Sequence, residues 1–149
     1  FAYHFLFIFF SSLPESSFTF GSECYGVAHA TLNASDREIY VCDSANLRIS
    51  VFDLNGNALR TIGRKGKGEC EFKQPESVFF DPASALLLVS DSNHRILIVR
   101  PERKGTLVRQ IGSFGSGKEQ LHHPKGLAMH PVTRHIFVCD FSNNRIQVF

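Results

Sequence analysis

The chain has 149 residues, of which 43% are hydrophobic and 20% are charged. This balance is that of one soluble globular domain, and it excludes a wholly disordered chain, a fibrous protein and a bundle of membrane helices. The formal net charge of +2 is too small to indicate nucleic acid or anionic lipid as the partner, so local patterns must identify the ligand.

The chain opens on an apolar segment, which we assign to residues 1–17 without predicting a fold for it. Its most apolar part, residues 1–10, would span only about 15 Å as a helix, half the thickness of a bilayer core. The segment also lacks the basic leader and the small-residue cleavage site of a signal peptide. We therefore predict no membrane attachment, and we leave open that a chain without an initiating Met belongs to a longer protein.

From residue 26 onward, short apolar runs alternate with Gly, Pro, Asn, Asp and Ser. The runs are rich in Val, Ile and Phe, which is typical of β-strands joined by turns. They lie at 26–30, 38–42, 48–53 and 58–62, then at 77–81, 86–90, 95–99 and 106–111, and finally at 126–130, 135–139 and 145–149. Nothing longer reads as a helix, so the chain is predicted to be all-β.

A repeated unit becomes visible when the chain is compared with itself. The glycine-rich stretch 62–68 matches 111–117 at an offset of 49 residues. A second block, in which an apolar strand is followed by Asp, Asn and Arg, recurs at 39–49, 87–96 and 136–146. Its middle copy is one residue shorter between the Asp and the Arg. Four strands in each unit of about 40–50 residues are typical of the blades of a β-propeller.

The joint pattern of strand, Asp-Ser-x-Asn turn, Arg, glycine-rich connector and Pro-x-Gly start resembles the NHL repeat, named for its Asn-His-Leu signature. The resemblance covers Gly26 to Phe149. It implies a β-propeller of NHL type with about three four-stranded blades, which form an incomplete ring. Only Asn93-His94 keeps the Asn-His pair, and the first hairpin is longer than its counterparts.

We place the propeller segment at 18–149, with blades at about 18–63, 64–112 and 113–149. Propellers close with about four to eight blades, so three blades leave apolar faces and strand edges uncovered. The isolated chain is therefore predicted to be a fragment that self-associates through its open blade edges.

One Asp and one Arg recur in every unit, the Asp at the end of the second strand and the Arg at the start of the third. The pairs are Asp43 and Arg48, Asp91 and Arg95, and Asp140 and Arg145. A carboxylate in this position can accept the backbone N–H groups of its own turn and face the Arg. We therefore predict a structural role for all six residues rather than a catalytic or metal-binding one.

The connector glycines imitate a phosphate-binding loop, most clearly in Gly115-Ser116-Gly117-Lys118. Such a loop needs a helix directly after it, whereas the next predicted element is a strand. The glycines are therefore assigned to turns with positive φ. Phe72 and Leu121 hold matching positions before a Pro, and we predict that both plug into the core.

The histidines show no spacing that is typical of a metal site. His122-His123 aligns with Lys73-Gln74 at the 49-residue offset, which indicates an exposed connector. His94 lies in a turn. We therefore expect no metal and no cofactor.

The four cysteines contain no C-x-x-C pair and are too few for a disulfide scaffold. Reduced thiols are predicted, and with them a cytoplasmic location. Cys42 and Cys139 align with Ser90, so both are interpreted as small buried strand residues.

Because strands in a blade alternate in direction, the glycine connectors and the Asp-Ser-x-Asn turns are predicted to share one surface. Basic residues concentrate between 60 and 125, while the flanks are acidic. The candidate binding residues on this surface are Arg64, Lys65, Lys67, Lys73, Phe114, Lys118 and Lys125. An exposed Phe114 among cations would offer a platform on which a base can stack. The alternative is a solvated basic loop with Phe114 folded back.

The resemblance implies a non-catalytic interaction module for a protein or single-stranded RNA, as in the NHL domains of tripartite-motif proteins. DNA and membranes are not predicted partners. The enzymatic relative is the peptide-amidating lyase, whose propeller holds metal with histidines, so the alternative is a metal-dependent lyase or hydrolase on the same scaffold. This sequence offers no convincing matching set of histidines, and we predict that it is not an enzyme.

Overall fold

The computed structural model describes residues 26–149. The apolar segment 1–17 and the start of the blade predicted at 18–63 lie outside the described residues. The strands are β1 (Val27–Asn33), β2 (Glu38–Asp43), β3 (Arg48–Asp53), β4 (Ala58–Ile62), β5 (Arg64–Lys65), β6 (Glu71–Phe72), β7 (Pro75–Asp81), β8 (Leu86–Asp91), β9 (Arg95–Arg100), β10 (Thr106–Ile111), β11 (Pro124–Met129), β12 (Ile136–Asp140) and β13 (Arg145–Val148). A 3-10 turn covers Phe141–Asn143.

Most of these strands form three antiparallel sheets in which neighbours in sequence are neighbours in space. The first sheet has the order β1-β2-β3-β4, the second β7-β8-β9-β10 and the third β11-β12-β13. The predicted all-β fold with four-stranded propeller-like units is thereby confirmed. Within residues 26–149 the sheets do not close into a ring.

The connectors between the sheets are more ordered than sequence patterns indicate. In the first connector, β5 pairs with β6 in parallel, so that Arg64 lies opposite Glu71. A parallel bridge between Phe114 and Leu121 takes the same place in the second connector. Each glycine-rich stretch therefore folds back on itself and presents its side chains from a fixed backbone.

The core lies between neighbouring sheets. One buried cluster joins the first and second sheets and includes Tyr40 and Leu87. A second cluster joins the second and third sheets and includes Leu88 and Val138. Because successive strand residues face opposite sides of a sheet, Leu87 and Leu88 serve different clusters, and the second sheet is buried on both faces.

Each connector inserts one apolar side chain into these clusters. Phe72 and Leu121 are fully buried, which confirms the prediction that they plug into the core. Gly63 and Gly112 lie against them with φ values of +78° and +85°. A Cβ at either position would overlap the plug side chain, so both the left-handed backbone and the close approach require glycine.

The third sheet leaves one apolar face exposed. Tyr40 and Ile49 of the first sheet are 1% and 0% exposed because the second sheet covers them, whereas their repeat equivalents Phe137 and Ile146 are 37% and 58% exposed. Cys139 is exposed as well. The prediction that Cys139 is a buried strand residue is therefore wrong in this structure, since no neighbouring sheet covers it within residues 26–149.

Candidate functional site

A clasp of charged groups joins the β8–β9 turn to the connector before it. Arg95 donates to the backbone carbonyl oxygens of Lys67, Gly68 and Glu71 over 2.7–3.2 Å. Asp91 Oδ1 accepts the backbone N–H of Lys73 at 2.9 Å, and that of the next residue at 2.8 Å. The turn is thereby fixed to the glycine-rich connector, and the two elements lie on one surface, as the alternation of strands predicts.

The same clasp recurs in the third sheet, 49 residues further along. Arg145 donates to the carbonyl oxygens of Ser116, Gly117 and Gln120 over 2.7–2.8 Å. Asp140 Oδ1 accepts the backbone N–H of His122 at 2.6 Å. Burial raises the pKa of the Asp140 carboxyl, but hydrogen bonds from His122, Asn143 and Arg145 outweigh burial and hold the pKa below its usual value.

The backbone donors to Asp91 and Asp140 differ from the prediction. We expected N–H groups of the carboxylate's own turn, and the structure supplies them from the preceding connector. The turn instead contributes a side-chain amide, from Asn93 to Asp91 at 2.9 Å and from Asn143 to Asp140 at 2.8 Å. The carboxylates thus hold two segments together rather than one turn.

The shorter middle turn weakens its ion pair. Arg48 Nε lies 2.9 Å from Asp43 and Arg145 Nε 2.8 Å from Asp140, whereas Arg95 Nε lies 3.5 Å from Asp91. Among the described residues, Arg95 Nε is buried without a hydrogen-bond partner. The middle turn has one residue fewer between its Asp and its Arg. The middle blade therefore lacks the close contact between the Arg Nε and the carboxylate that the other two blades make.

Four aromatic rings meet where the β8–β9 turn touches the second connector. We call His94, Phe114, His122 and His123 the ring cluster. Ring centroids lie 4.8 Å apart for His94 and Phe114, 4.9 Å for His94 and His123, and 5.1 Å for Phe114 and His122. Distances of this size are those of aromatic pairs in contact.

His94 is the centre of the ring cluster. The backbone N–H of His123 donates to His94 Nδ1 over 3.2 Å, so the neutral ring carries its proton on Nε2. Burial lowers the pKa of His94, and electrostatic interactions with His123, His122 and Lys73 lower it further, while Asp91 opposes the shift. His94 is therefore held in its neutral form.

A groove beside the ring cluster brings together some of the predicted binding residues. It has a volume of about 490 Å³ and is lined by Lys67, Lys73, His94 and Phe114, among others. Phe114 is 63% exposed, so it is not folded back into the protein. We call this cavity the lysine groove.

The other predicted binding residues lie elsewhere. Arg64 pairs with Glu71 at 2.9 Å, and Lys65 is exposed on β5. Lys118 borders a different cavity. Lys125 Nζ lies 4.1 Å from the centre of the Phe141 ring. The seven candidate residues thus do not form one site, because three of them line the lysine groove and the other four lie outside it.

Sequence patterns miss the contribution of the three histidines. The sequence predicts that His122 and His123 lie in an exposed connector and that His94 lies in a turn. In the structure, all three contact one another in the ring cluster. A signal was available in the repeat itself, since Lys65, Lys73 and Gln74 stand where the second connector has Phe114, His122 and His123.

Within residues 26–149, no group of three or more His, Cys, Asp or Glu residues is arranged to hold a metal ion. Cys70 and Cys139 are free thiols, and Cys24 lies outside the described residues. Burial raises the pKa of the Cys70 thiol, and the charge of Glu69 raises it further.

Within residues 26–149, none of the helices has the length and apolar character needed to span a bilayer.

Repeated antiparallel sheets, packed face to face and joined by clasped connectors, define a β-propeller. Residues 22–99 match the DUF5128 family, described as a 6-bladed beta-propeller, and residues 121–149 match the NHL repeat. The chain therefore belongs to the DUF5128 family of 6-bladed β-propellers, and it carries a match to the NHL repeat at residues 121–149.

The chain is also similar to two other proteins. Over 85 residues the chain is 37% identical to the RING finger protein nhl-1 of Caenorhabditis elegans, a match that covers 57% of this chain and 8% of that protein. A crystal structure of a protein of unknown function from Bacteroides caccae superposes with a TM-score of 0.57 at 18% identity, over 74% of this chain and 37% of that one. The chain thus spans less than half the length of either relative, and the second likeness shows the fold alone.

Proposed function

We propose that this chain is a non-catalytic interaction module that binds single-stranded RNA in the lysine groove, with a base stacked on Phe114. The observation that carries the proposal is an exposed phenylalanine, held among imidazole rings and bordered by Lys67 and Lys73. Single-stranded RNA is bound by stacking of unpaired bases on aromatic rings and by cations along the backbone.

The repeat supports a functional reading of this surface. The first connector carries Lys65, Lys73 and Gln74 at the positions of the rings in the second connector, and Leu47 replaces His94 in the first turn. The first connector nevertheless folds, with its plug Phe72 fully buried. The scaffold therefore does not need the ring cluster, which leaves ligand binding as a reason for its presence.

A protein ligand is the other class that NHL propellers accept, and RNA is favoured by the chemistry of the groove. Lys67 and Lys73 are exposed on either side of the connector and are free to reach phosphates. Phe114 presents a face to which any base can stack. Double-stranded DNA is not proposed because its bases are already stacked and paired.

Replacing Phe114 with alanine should weaken the binding of single-stranded RNA about tenfold, because one stacked base contributes about 1–3 kcal/mol. Phe141→Ala is the matched control, since Phe141 is similarly exposed at 59% but lies outside the lysine groove. Fluorescence anisotropy with a labelled oligouridine of about twelve nucleotides measures both.

The logarithm of the association constant for RNA falls linearly with the logarithm of the salt concentration, and each phosphate contact on a single strand contributes about 0.7 to the steepness. Removing Lys67 and Lys73 together should therefore make this slope less steep by about one and a half. No salt-dependent binding of RNA, or an equal loss in Phe114→Ala and Phe141→Ala, would overturn the proposal. A protein ligand would then be the remaining candidate.

We also propose that the repeated carboxylates are structural and take no part in catalysis. Asp91 and Asp140 are fully buried, and each is bound to backbone N–H groups and to an Arg. A carboxylate engaged in this way is not available as a base. Stoichiometric binding of zinc or calcium together with peptide-amidating lyase turnover would contradict this assignment.

We also propose that the isolated chain self-associates. The exposed face of the third sheet would bind a second copy of the chain. Val51 is fully buried at the interface between the first two sheets, whereas its repeat equivalent Val148 is 50% exposed beside Ile146. An apolar face of this kind gains free energy when a second surface removes it from water.

Ile146→Ser combined with Val148→Ser should shift the chain from larger species toward monomer in sedimentation velocity at about 50 µM. Val132→Ser is the control, because Val132 is 81% exposed but lies in a hairpin turn away from this face. A wild-type chain that sediments as a monomer would remove the proposal. A cytoplasmic location is likewise kept as a proposal, supported by free thiols at Cys70 and Cys139.

A further inference from the structure

We propose that protonation of His94 controls the lysine groove, so that acidification releases Phe114 from its support and weakens the binding of single-stranded RNA. This inference rests on the proposed function, because it concerns the regulation of the same site. Its structural basis is a hydrogen bond that only the neutral imidazole can accept, together with ring contacts that hold Phe114 in place.

One hydrogen bond in the ring cluster requires a neutral His94. His94 Nδ1 accepts the backbone N–H of His123 over 3.2 Å. A protonated imidazole carries N–H groups on both nitrogens and has no acceptor left. Protonation would therefore set two N–H groups against each other, and the His94 ring would have to leave its present position.

The ring contacts carry the change to Phe114. The centroid of the His94 ring lies 4.8 Å from Phe114 and 5.4 Å from His122, and His122 in turn lies 5.1 Å from Phe114. Since Phe114 is 63% exposed, these imidazoles supply much of the packing that orients its ring. Once the His94 ring moves, the stacking platform loses one of its two ring neighbours.

The charges around His94 determine the direction of the effect. Lys73 faces it from the first connector, His122 and His123 from the second, and Asp91 from the end of β8. Lys67 and Arg95 line the same groove. Together the burial of His94 and the positive charges lower its pKa below the ordinary value of 6.5, and Asp91 offsets only part of this. Neutral His94 therefore predominates at pH 7.5, and the transition falls below pH 6.5.

A new positive charge by itself would strengthen the attraction for RNA, whereas loss of the platform weakens it, so the two effects have opposite signs. His94→Leu separates them. Leu47 occupies the equivalent position with φ of +58°, close to the +66° of His94, so leucine fits the turn and cannot titrate. The other histidines are unchanged in this variant, so any effect that they have on the pH dependence of RNA binding is the same in both proteins.

The test measures the Kd of the intact chain for a labelled oligouridine at constant salt, at pH 7.5 and pH 5.5. Uracil does not titrate between these values. We expect the ratio of the two Kd values to be larger in the wild type than in His94→Leu by about fivefold or more, the contribution of one stacked base. Equal ratios in the two proteins would overturn the inference.

A second measurement needs no RNA. The chain has no Trp, so Phe114→Trp introduces a single indole beside His94, whose emission can be excited apart from that of the tyrosines, and a protonated imidazole quenches indole emission. We expect a fluorescence transition with a midpoint below pH 6.5, which His94→Leu in the same background removes. An unchanged pH profile in the double variant would overturn the inference. If RNA does not bind at pH 7.5, the proposed function fails, and this measurement alone decides whether His94 acts on Phe114.

Discussion

Replacing Asp91 with alanine should lower the free energy of unfolding by about 3–5 kcal/mol, the usual cost of removing one partner from a buried ion pair. Asp91 is fully buried and accepts the backbone N–H groups of Lys73 and Gln74. The substitution leaves both donors without their acceptor and leaves the buried Arg95 without a counter-charge. Since Arg95 Nε already lacks a hydrogen-bond partner among the described residues, the middle blade has little to compensate the loss.

Two further variants make this expectation specific. Asp91→Asn keeps an oxygen that can accept the connector N–H groups but removes the charge, so its loss should be intermediate. Asp53→Ala is the control, because the Asp53 carboxylate accepts hydrogen bonds from Asn55 and Asn57 within its own hairpin turn. Urea denaturation followed by circular dichroism measures all three. A loss in Asp91→Ala no greater than that in Asp53→Ala would show that the clasp does not stabilise the blade.

Replacing Gly63 with alanine should destabilise the chain by about 2–5 kcal/mol. A left-handed backbone costs an L residue about 1–2 kcal/mol, and overpacking of a core adds about 1–3 kcal/mol. The φ of Gly63 is +78°, and its Cβ would overlap the Phe72 ring and lie 2.7 Å from the Cys70 carbonyl oxygen. Phe72 is fully buried, so its ring has no room to retreat.

Gly68→Ala is the matched control in the same connector. Gly68 has no positive φ, and its Cβ would meet only the flexible end of the Glu71 side chain at 3.0 Å. Its effect should stay within about 1 kcal/mol. Thermal unfolding of both variants, monitored by circular dichroism, distinguishes a requirement for glycine at one position from a general preference for flexible connectors. Similar melting temperatures for the two would contradict the prediction.

The pH dependence of stability follows from two histidines whose pKa values are lowered in the folded chain. Burial lowers the pKa of His29, with a hydrogen bond to the Val78 carbonyl opposing the shift, and the pKa of His94 is lowered as well. Below pH 6.5 the unfolded chain therefore binds more protons than the folded one. Both histidines contribute stability that is present above pH 6.5 and is lost as the pH falls below it.

Local patterns in the sequence determine the blades. Alternating apolar residues, turn residues and a 49-residue offset place the strands close to their observed bounds, because strand formation and turn formation depend on neighbouring residues. The same patterns identify Phe72 and Leu121 as core residues, since both hold the matching position shortly before the Pro that begins the next blade. For the pair of Asp91 and Arg95, the spacing along one hairpin is enough to bring the side chains together.

Only the tertiary structure decides which surface residues meet. His94, Phe114 and His123 are up to 29 residues apart, and they touch because the second connector packs against the β8–β9 turn, where the backbone N–H of His123 donates to His94. The same folding back of the connector separates Arg64 and Lys118 from Lys67 and Lys73. Side-chain direction in a glycine-rich connector depends on left-handed φ values and a single backbone bridge, neither of which has a periodic signature in the sequence. The sequence therefore determines the blade, and the packing of turn on connector decides where a ligand can bind.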